Sequence, residues 1–225
     1  MTRSGAATVM TVAVVAALVV GGCYLLGRTH PPRATPVTGD VVGPDTGESV
    51  SDYLARARQT LTAVPTDDAM PRWALISLRD PLTDGQVAPV VSPVSLSQVV
   101  LHVAIPGVRT PVTVEPAGVS AIGTARDRAI GELMTRNDPD PDGSRDQRIA
   151  AVTISRLRSG CACVIALVVR GSPDRLRTVA ADPRVRAVEV LPADAAGGLF
   201  AVRTLLPEDT SSTGPAADTA TVPPP

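Results

Sequence analysis

The chain contains no lysine, and Trp73, Tyr24, Tyr53 and Phe200 are its only aromatic residues. Its histidines are limited to His30 and His102, and its cysteines to Cys23, Cys161 and Cys163. Each scarcity excludes something. The 21 basic residues are all arginine, they are interspersed with 22 acidic ones, and the formal charge is −1. No basic footprint remains for nucleic acid, and arginine-only usage reads as GC-rich coding rather than as selection for bidentate anion capture. Exposed rings for base stacking are missing, so the core must be built of Val, Leu, Ile and Ala. Zinc asks for about four ligands, and beside the CxC pair the chain offers only His30, in a stalk-like stretch, and His102, in a strand, so no protein-complete metal site and no cofactor is expected. Nucleophile elbow, phosphate loop and dinucleotide fingerprint are also missing, so the chain reads as a non-enzyme.

What is present first is an apolar run. Ala6–Gly27 reads AATVMTVAVVAALVVGGCYLLG without a charge, and about 20 apolar residues suffice to cross a bilayer as a helix. The expectation is one N-terminal transmembrane helix over residues 6–27 behind a stub of residues 1–5. Val20-Gly21-Gly22-Cys23 is also similar to a bacterial lipobox, with Cys23 as the lipidation candidate, although apolar YLLG continues past it. A cleaved signal is the third reading. Arg3 on one side nearly balances Arg28 and Arg33 on the other. The short stub ahead of a long chain favours N-in and C-out, a single-pass cell-membrane protein with its C-terminal domain extracytoplasmic, where thiols pair.

Residues 28–48 are rich in Pro, Gly and Thr and read as a flexible stalk. Residues 208–225 read as a disordered tail. Between them, 49–207 form one folded domain. Val50, Leu54, Ala57, Leu61 and Val64 step at helical spacing after the cap Ser51; this seam packs on the domain or, alternatively, pairs weakly with a second copy through residues 50–64. RWALISLRD is a buried strand, Thr83 and Gln86 open a short helix through Val91 as a capping box, and SLSQVVLHVAIPG is a strand closed at Pro106-Gly107. A second such unit follows: strand CVIALVVRG, a helix capped by Ser172 with Pro173 and Asp174 in its first turn, and strand VRAVEVLP. Two βαβ units in one sheet predict an α+β, ferredoxin-like arrangement. Residues 119–136 and 144–159 read as two helices inserted between the units, the first carrying Ile122, Ile130, Leu133 and Met134, the second Ile149, Val152 and Leu157. GGLFAVRTLLPE is a last strand at the sheet edge.

Asp138, Asp140, Asp142 and Asp146 have the spacing that opens a calcium loop, but Ile149 stands where a bidentate Glu is wanted. Asp-Pro and Asp-Gly turns, with Ser144 and Gln147 capping the next helix, explain the same residues. In a strand, Cys161 and Cys163 would point to one face. A local disulfide, two buried thiols and a redox pair all remain open. His102 lies on the strand face opposite Val99, Leu101 and Val103, as an exposed or half-buried residue.

ALVVRGSPDRLRTVAADPRVRAVEVLP resembles the closing half of the propeptide-inhibitor domain of subtilisin-like proteases: a strand, a helix ending in Ala-Asp-Pro, and a strand carrying Val-Glu. WALISLRDPLTDGQVAPVVSPVSLSQVVLHV resembles the opening half more faintly. The resemblance covers about 70 of the 225 residues and implies a ferredoxin-like sheet with an inhibitor or folding-chaperone role. The layout of anchor, stalk, CACV and tail resembles actinobacterial membrane-anchored envelope proteins of uncharacterised role, which implies location and no activity. The functional expectation is a membrane-tethered extracytoplasmic domain that binds another envelope protein through its sheet face or edge. Thiol–disulfide exchange at Cys161 and Cys163, and inhibition of a secreted serine protease, are the alternatives.

Overall fold

The computed structural model describes residues 40–136, 143–214 and 218–225. The expected stub, the anchor with Cys23, the stalk up to residue 39, and Asp138, Asp140 and Asp142 lie outside them. Among the described residues no helix is long and apolar enough to cross a membrane. The elements run β1 (Val41–Val42), α1 (Val50–Ala63), β2 (Arg72–Leu82), α2 (Asp84–Val91), β3 (Ser95–His102), β4 (Val112–Pro116), a 3-10 turn (Val119–Ala121), α3 (Ile122–Arg136), α4 (Arg145–Arg158), β5 (Val164–Gly171), α5 (Pro173–Ala180), β6 (Val185–Val190) and β7 (Ala201–Val202). The described residues are thus α+β, with five helices and a main sheet.

That sheet has the order β4-β3-β5-β2-β6, and every neighbouring pair is antiparallel. Helix α2 links β2 to β3 and α5 links β5 to β6, but β5 lies between the first two strands and β2 between the second two. The two strand–helix–strand units are therefore interleaved, and β6 pairs with β2 rather than with the β5 that precedes it.

The central strands are buried on both faces, which is why they read as near-continuous apolar runs. Ala74, Ile76 and Leu78 meet Leu167 and Val169 under Val87, Val90 and Val91 of α2, Ala125 and Ala129 of α3, and Leu176 and Val179 of α5. On the other face Leu75, Val100, Ile165 and Val168 pack with Val42, Leu191, Phe200 and Val202. Covering that face takes the chain on both sides of the expected domain. Val42 is fully buried and β1 pairs in parallel with β7, away from the main sheet. So Ala201–Val202 is not the main-sheet edge strand expected of GGLFAVRTLLPE, and residues 40–48 belong to the fold rather than to a stalk. Gly43 makes the close approach at this point: its φ is +107°, and a Cβ there would strike the Arg203 carbonyl.

Residues read as a disordered tail also make contacts. Thr213 exchanges backbone bonds with Glu48 and Gly47, and Thr219 and Ala220 donate to the Gly107 carbonyl at 3.1 and 2.9 Å.

Local signals were answered with shifts. The cap of α1 is Ser49, whose side chain accepts from the Asp52 N–H, and not Ser51. Tyr53, more than Leu54, fills the α1 seam beside Val50 and Ala57, and the seam meets Ala187 and Leu205 of the same chain. Thr83 and Gln86 form the capping box of α2. Pro106 and Gly107 make a turn in which Val108 donates to the Ile105 carbonyl at 3.0 Å, with Gly107 at φ +69° as the third turn position requires. Strand β4 was not expected: two prolines bracket it, and only Thr113 and Glu115 face inward. Both insertion helices lie where the sequence placed them, except that Met134 is 55% exposed instead of joining the apolar face.

Candidate functional site

Helix α4 ends in a Schellman turn: Gly160 at φ +75° donates to Leu157 and Cys161 donates to Arg156. The chain then passes through Cys161-Ala162-Cys163 before β5 begins at Val164. The pair therefore occupies the connection, not the strand. The two sulfurs lie at disulfide-bonding distance with Cα atoms 5.3 Å apart. Cys163 is 1% exposed and joins the small core of Val103, Ile105, Leu133, Val152 and Leu157, with Cys161 at its margin. Neighbouring bonds hold the segment in place: the Cys163 N–H reaches the Leu82 carbonyl, and its carbonyl accepts from the His102 N–H. The Arg126 guanidinium, paired with Asp84 at 2.6 Å, donates to the Cys161 carbonyl at 3.3 Å.

His102 is buried at 5% exposure, contrary to the exposed or half-buried position expected. Alternation along the strand placed it correctly opposite Leu101, but the chain after β7 covers that face. Its Nε2 meets Glu208 Oε1 at 2.9 Å and its Nδ1 meets the Thr110 hydroxyl at 3.3 Å. The bond to His102 holds the Glu208 carboxyl below its ordinary range. The Thr110 hydroxyl is itself committed, donating to the Val103 carbonyl at 2.6 Å. Both ring nitrogens are thus occupied inside the fold, and the arrangement ties β3 to the chain beyond β7.

A second polar cluster was not singled out in the sequence. Glu189, the last residue but one of β6, accepts from the Gly43 N–H at 2.7 Å and from Arg56 Nη1 at 2.6 Å. Arg56 also grips Glu48 at 2.8 and 3.1 Å and the Gly43 carbonyl at 3.1 Å. Burial raises the Glu189 carboxyl above its ordinary range, opposed by Gly43 and Arg56. The Arg56 bond lowers Glu48. Tyr53 Oη and Ser77 Oγ are enclosed here, and neither completes a hydrogen bond, although the phenol faces Ser77 and Glu189. The signal was a lone carboxylate within AVEVLP; its partner lies 133 positions away, beyond any local pattern.

The sheet's two edges differ. At β6 the helix α1 lies alongside, and the Val190 N–H donates to Thr60 Oγ1 at 2.9 Å. At β4 no further strand follows among the described residues. The Ala117 N–H bonds the Ser97 carbonyl at 2.8 Å, so by the alternation of antiparallel pairs residues 113 and 115 bond to β3 while 112 and 114 turn their backbone outward. Pro116 falls on the outward side, where a missing N–H is tolerated. Val112 and Val114 present their side chains on the sheet face opposite Thr113 and Glu115, at 40% and 37% exposure. Beneath, Glu115 is buried and carries Arg128, and burial raises its carboxyl.

Asp146, the described member of the expected calcium set, is exposed at the start of α4, where Ser144 caps the helix by accepting from the Gln147 N–H. Among the described residues no group of three metal-ligating side chains comes together. The chain matches no family model, no curated protein and no solved structure.

Proposed function

We propose that the chain is a membrane-tethered, extracytoplasmic, non-enzymatic interaction domain that binds a partner protein by adding a strand to β4. The observation that carries this reading is the open edge itself. Val112 and Val114 offer outward backbone groups and exposed apolar side chains with no strand beside them among the described residues, while at the Pro116 end Arg128 takes the outward carbonyl. Proteins blunt such edges unless they use them. The charge-free run of residues 6–27 supports the tether. Cysteines at bonding distance fit an oxidising compartment. The fixed, buried His102 supports the non-enzymatic reading.

The fold is read as a ferredoxin-like sheet elaborated by β4, α3 and α4. Interleaving of the two strand–helix–strand units, with the order β3-β5-β2-β6 and antiparallel neighbours throughout, supports that reading.

The test places a photo-crosslinking residue at the exposed position 112 of the full chain in its native membrane, beside Val114→Pro. Proline at 114 removes an outward N–H and leaves the β3 ladder intact. A discrete adduct that Val114→Pro abolishes without shifting Tm supports strand addition. Absence of any discrete adduct, or one indifferent to the substitution, overturns it. Protease treatment of intact cells tests the side of the membrane: cleavage within residues 40–225 from outside is expected, and protection there refutes the extracytoplasmic placement.

A further inference from the structure

We propose that α3, α4 and the turn between β3 and β4 form a peptide-recognition groove. Its ligand is an extended segment of a partner protein that carries a carboxylate ahead of small, β-branched and proline residues. The chain's own residues 218–225, DTATVPPP, sit there as a ligand in cis. The groove is separate from the β4 edge, and the inference stands whether or not that edge binds.

The contacts of the tail are those of a recognised peptide. The Asp218 carboxylate receives Arg145 at 2.6 and 3.2 Å and the Arg109 backbone N–H at 3.1 Å. The Arg145 bond, followed by that N–H, lowers the Asp218 carboxyl to about 2, so the anchor stays charged across the physiological range. Next, the N–H groups of Thr219 and Ala220 share the Gly107 carbonyl. Gly107 leaves room for this approach, since a Cβ there would come within 2.8 Å of the Ala220 methyl. Ala220 and Val222 then pack on the core of Ile105, Val108, Ile149 and Val152. Farther on, Pro225 lines a cleft with Ala151, Ile154 and Arg158 of α4. Read in order, the tail runs from the first residue of α4 to its last turn, a length that eight extended residues span at roughly 3.3 Å each.

Two features say that the seat is built for more than the tail. A cleft of about 320 Å³, lined by Arg109, Pro111, Leu133, Arg136 and Ile149, opens beside the Asp218 anchor, and the small side chains of Thr219 and Ala220 do not fill it. The tail is also joined covalently to the domain, and tethering supplies a high effective concentration that lets a weak ligand stay seated. A partner segment with the same carboxylate and larger apolar residues would displace it.

The probe is a fluorescent peptide of residues 218–225, with a control peptide in which arginine replaces the aspartate. Both are titrated by anisotropy onto the full chain and its variants. Asp218→Arg sets the tail carboxylate's replacement against Arg145 and vacates the seat. The Asp218→Arg chain should bind the probe saturably, at least tenfold more tightly than the wild type. Combining Arg145→Asp with Asp218→Ala, so that the tail has no charge to pair with the new carboxylate, should weaken the probe at least tenfold relative to Asp218→Arg and transfer the preference to the control peptide, a reversal that a misfolded variant would not give. Equal binding by wild type and Asp218→Arg, lack of saturation, or failure of the preference to reverse overturns the proposal. Should the Asp218→Arg chain instead take the tails of wild-type copies into a stable mixed oligomer, the occupant is a second copy and the partner proposal falls.

Discussion

Arg56 joins Glu189, Glu48 and the Gly43 carbonyl in one cluster, and Arg56→Met tests how much that cluster contributes. The methionine keeps most of the apolar stem and removes the charged guanidinium, which lies 5.3 Å from the centre of the Tyr53 ring. Glu189 then keeps only the Gly43 N–H while its side chain stays 6% exposed. Breaking a fully buried pair costs about 3–5 kcal/mol, whereas exposed pairs are worth about 0–1 kcal/mol. Arg56 is itself 37% exposed, so solvent screens part of the attraction, and the expected loss near pH 7 is about 2 kcal/mol. The loss depends on pH with a fixed sign. Burial already raises Glu189 above 4.5, its ordinary value, and removing Arg56 raises it further. A raised carboxyl contributes stability that is present below its unfolded value and lost as pH rises through the folded one. Glu48 acts in the same direction: Arg56 lowers it, so the stability it gives the wild type is present above 4.5 and fades in acid. The deficit of Arg56→Met should therefore be small near pH 4.5 and grow towards neutrality. Urea unfolding of the full chain in mild detergent, followed through the single Trp73 at several pH values, measures it. A deficit under about 0.5 kcal/mol at pH 7, or one that does not vary with pH, refutes the reasoning.

Tyr53→Phe removes a hydroxyl that is enclosed without a hydrogen bond and should stabilise the fold by about 1 kcal/mol in the same assay, since a buried unsatisfied group costs about 1–3 kcal/mol; destabilisation would mean that the phenol is bonded. Gly43→Ala should cost about 1–3 kcal/mol, because φ is +107° and the Arg203 carbonyl stands in the way; a neutral result in thermal melts would show that β1 and β7 do not hold the sheet face. Alkylation of Cys161 and Cys163 without reductant should give no adduct, and the double change to Ser should lower stability by about 1–2 kcal/mol for so short a loop while leaving the position-112 crosslink intact. Loss of the crosslink with unchanged stability would instead assign the pair to chemistry.

Local chemistry was legible wherever a few neighbouring residues decide the outcome. Thr83 and Gln86 cap α2, Ser144 caps α4, Pro173 opens α5 and Gly107 turns the chain, each through contacts spanning four residues or fewer. Failures came where the deciding partner is remote. Ser49 beats Ser51 as the α1 cap because the β-bridge of Ser49 to Ser212 fixes the backbone there. Val41–Val42 looked like stalk because Pro, Gly and Thr surround it, yet it faces a sheet surface whose need for cover is written into Leu75, Ile165 and Val168. His102 was given the correct strand face, but Glu208 and Thr110 cover it from positions 106 and 8 residues away.

The same physics explains why residues 40–48 and the chain after β6 both return to the sheet. Two interleaved strand–helix–strand units place α2 and α5 on one face only, so the second face must be covered by whatever chain remains. Residues 40–48 and 191–213 supply that cover with few apolar groups, chiefly Val42, Leu191, Phe200, Val202 and Leu205. So thin a layer needs polar fasteners, which the Glu189–Arg56–Glu48 cluster, Glu208 on His102 and the Thr213 bonds provide. Among the described residues the cover stops short of Val112 and Val114, and no strand pairs with β4 on that side.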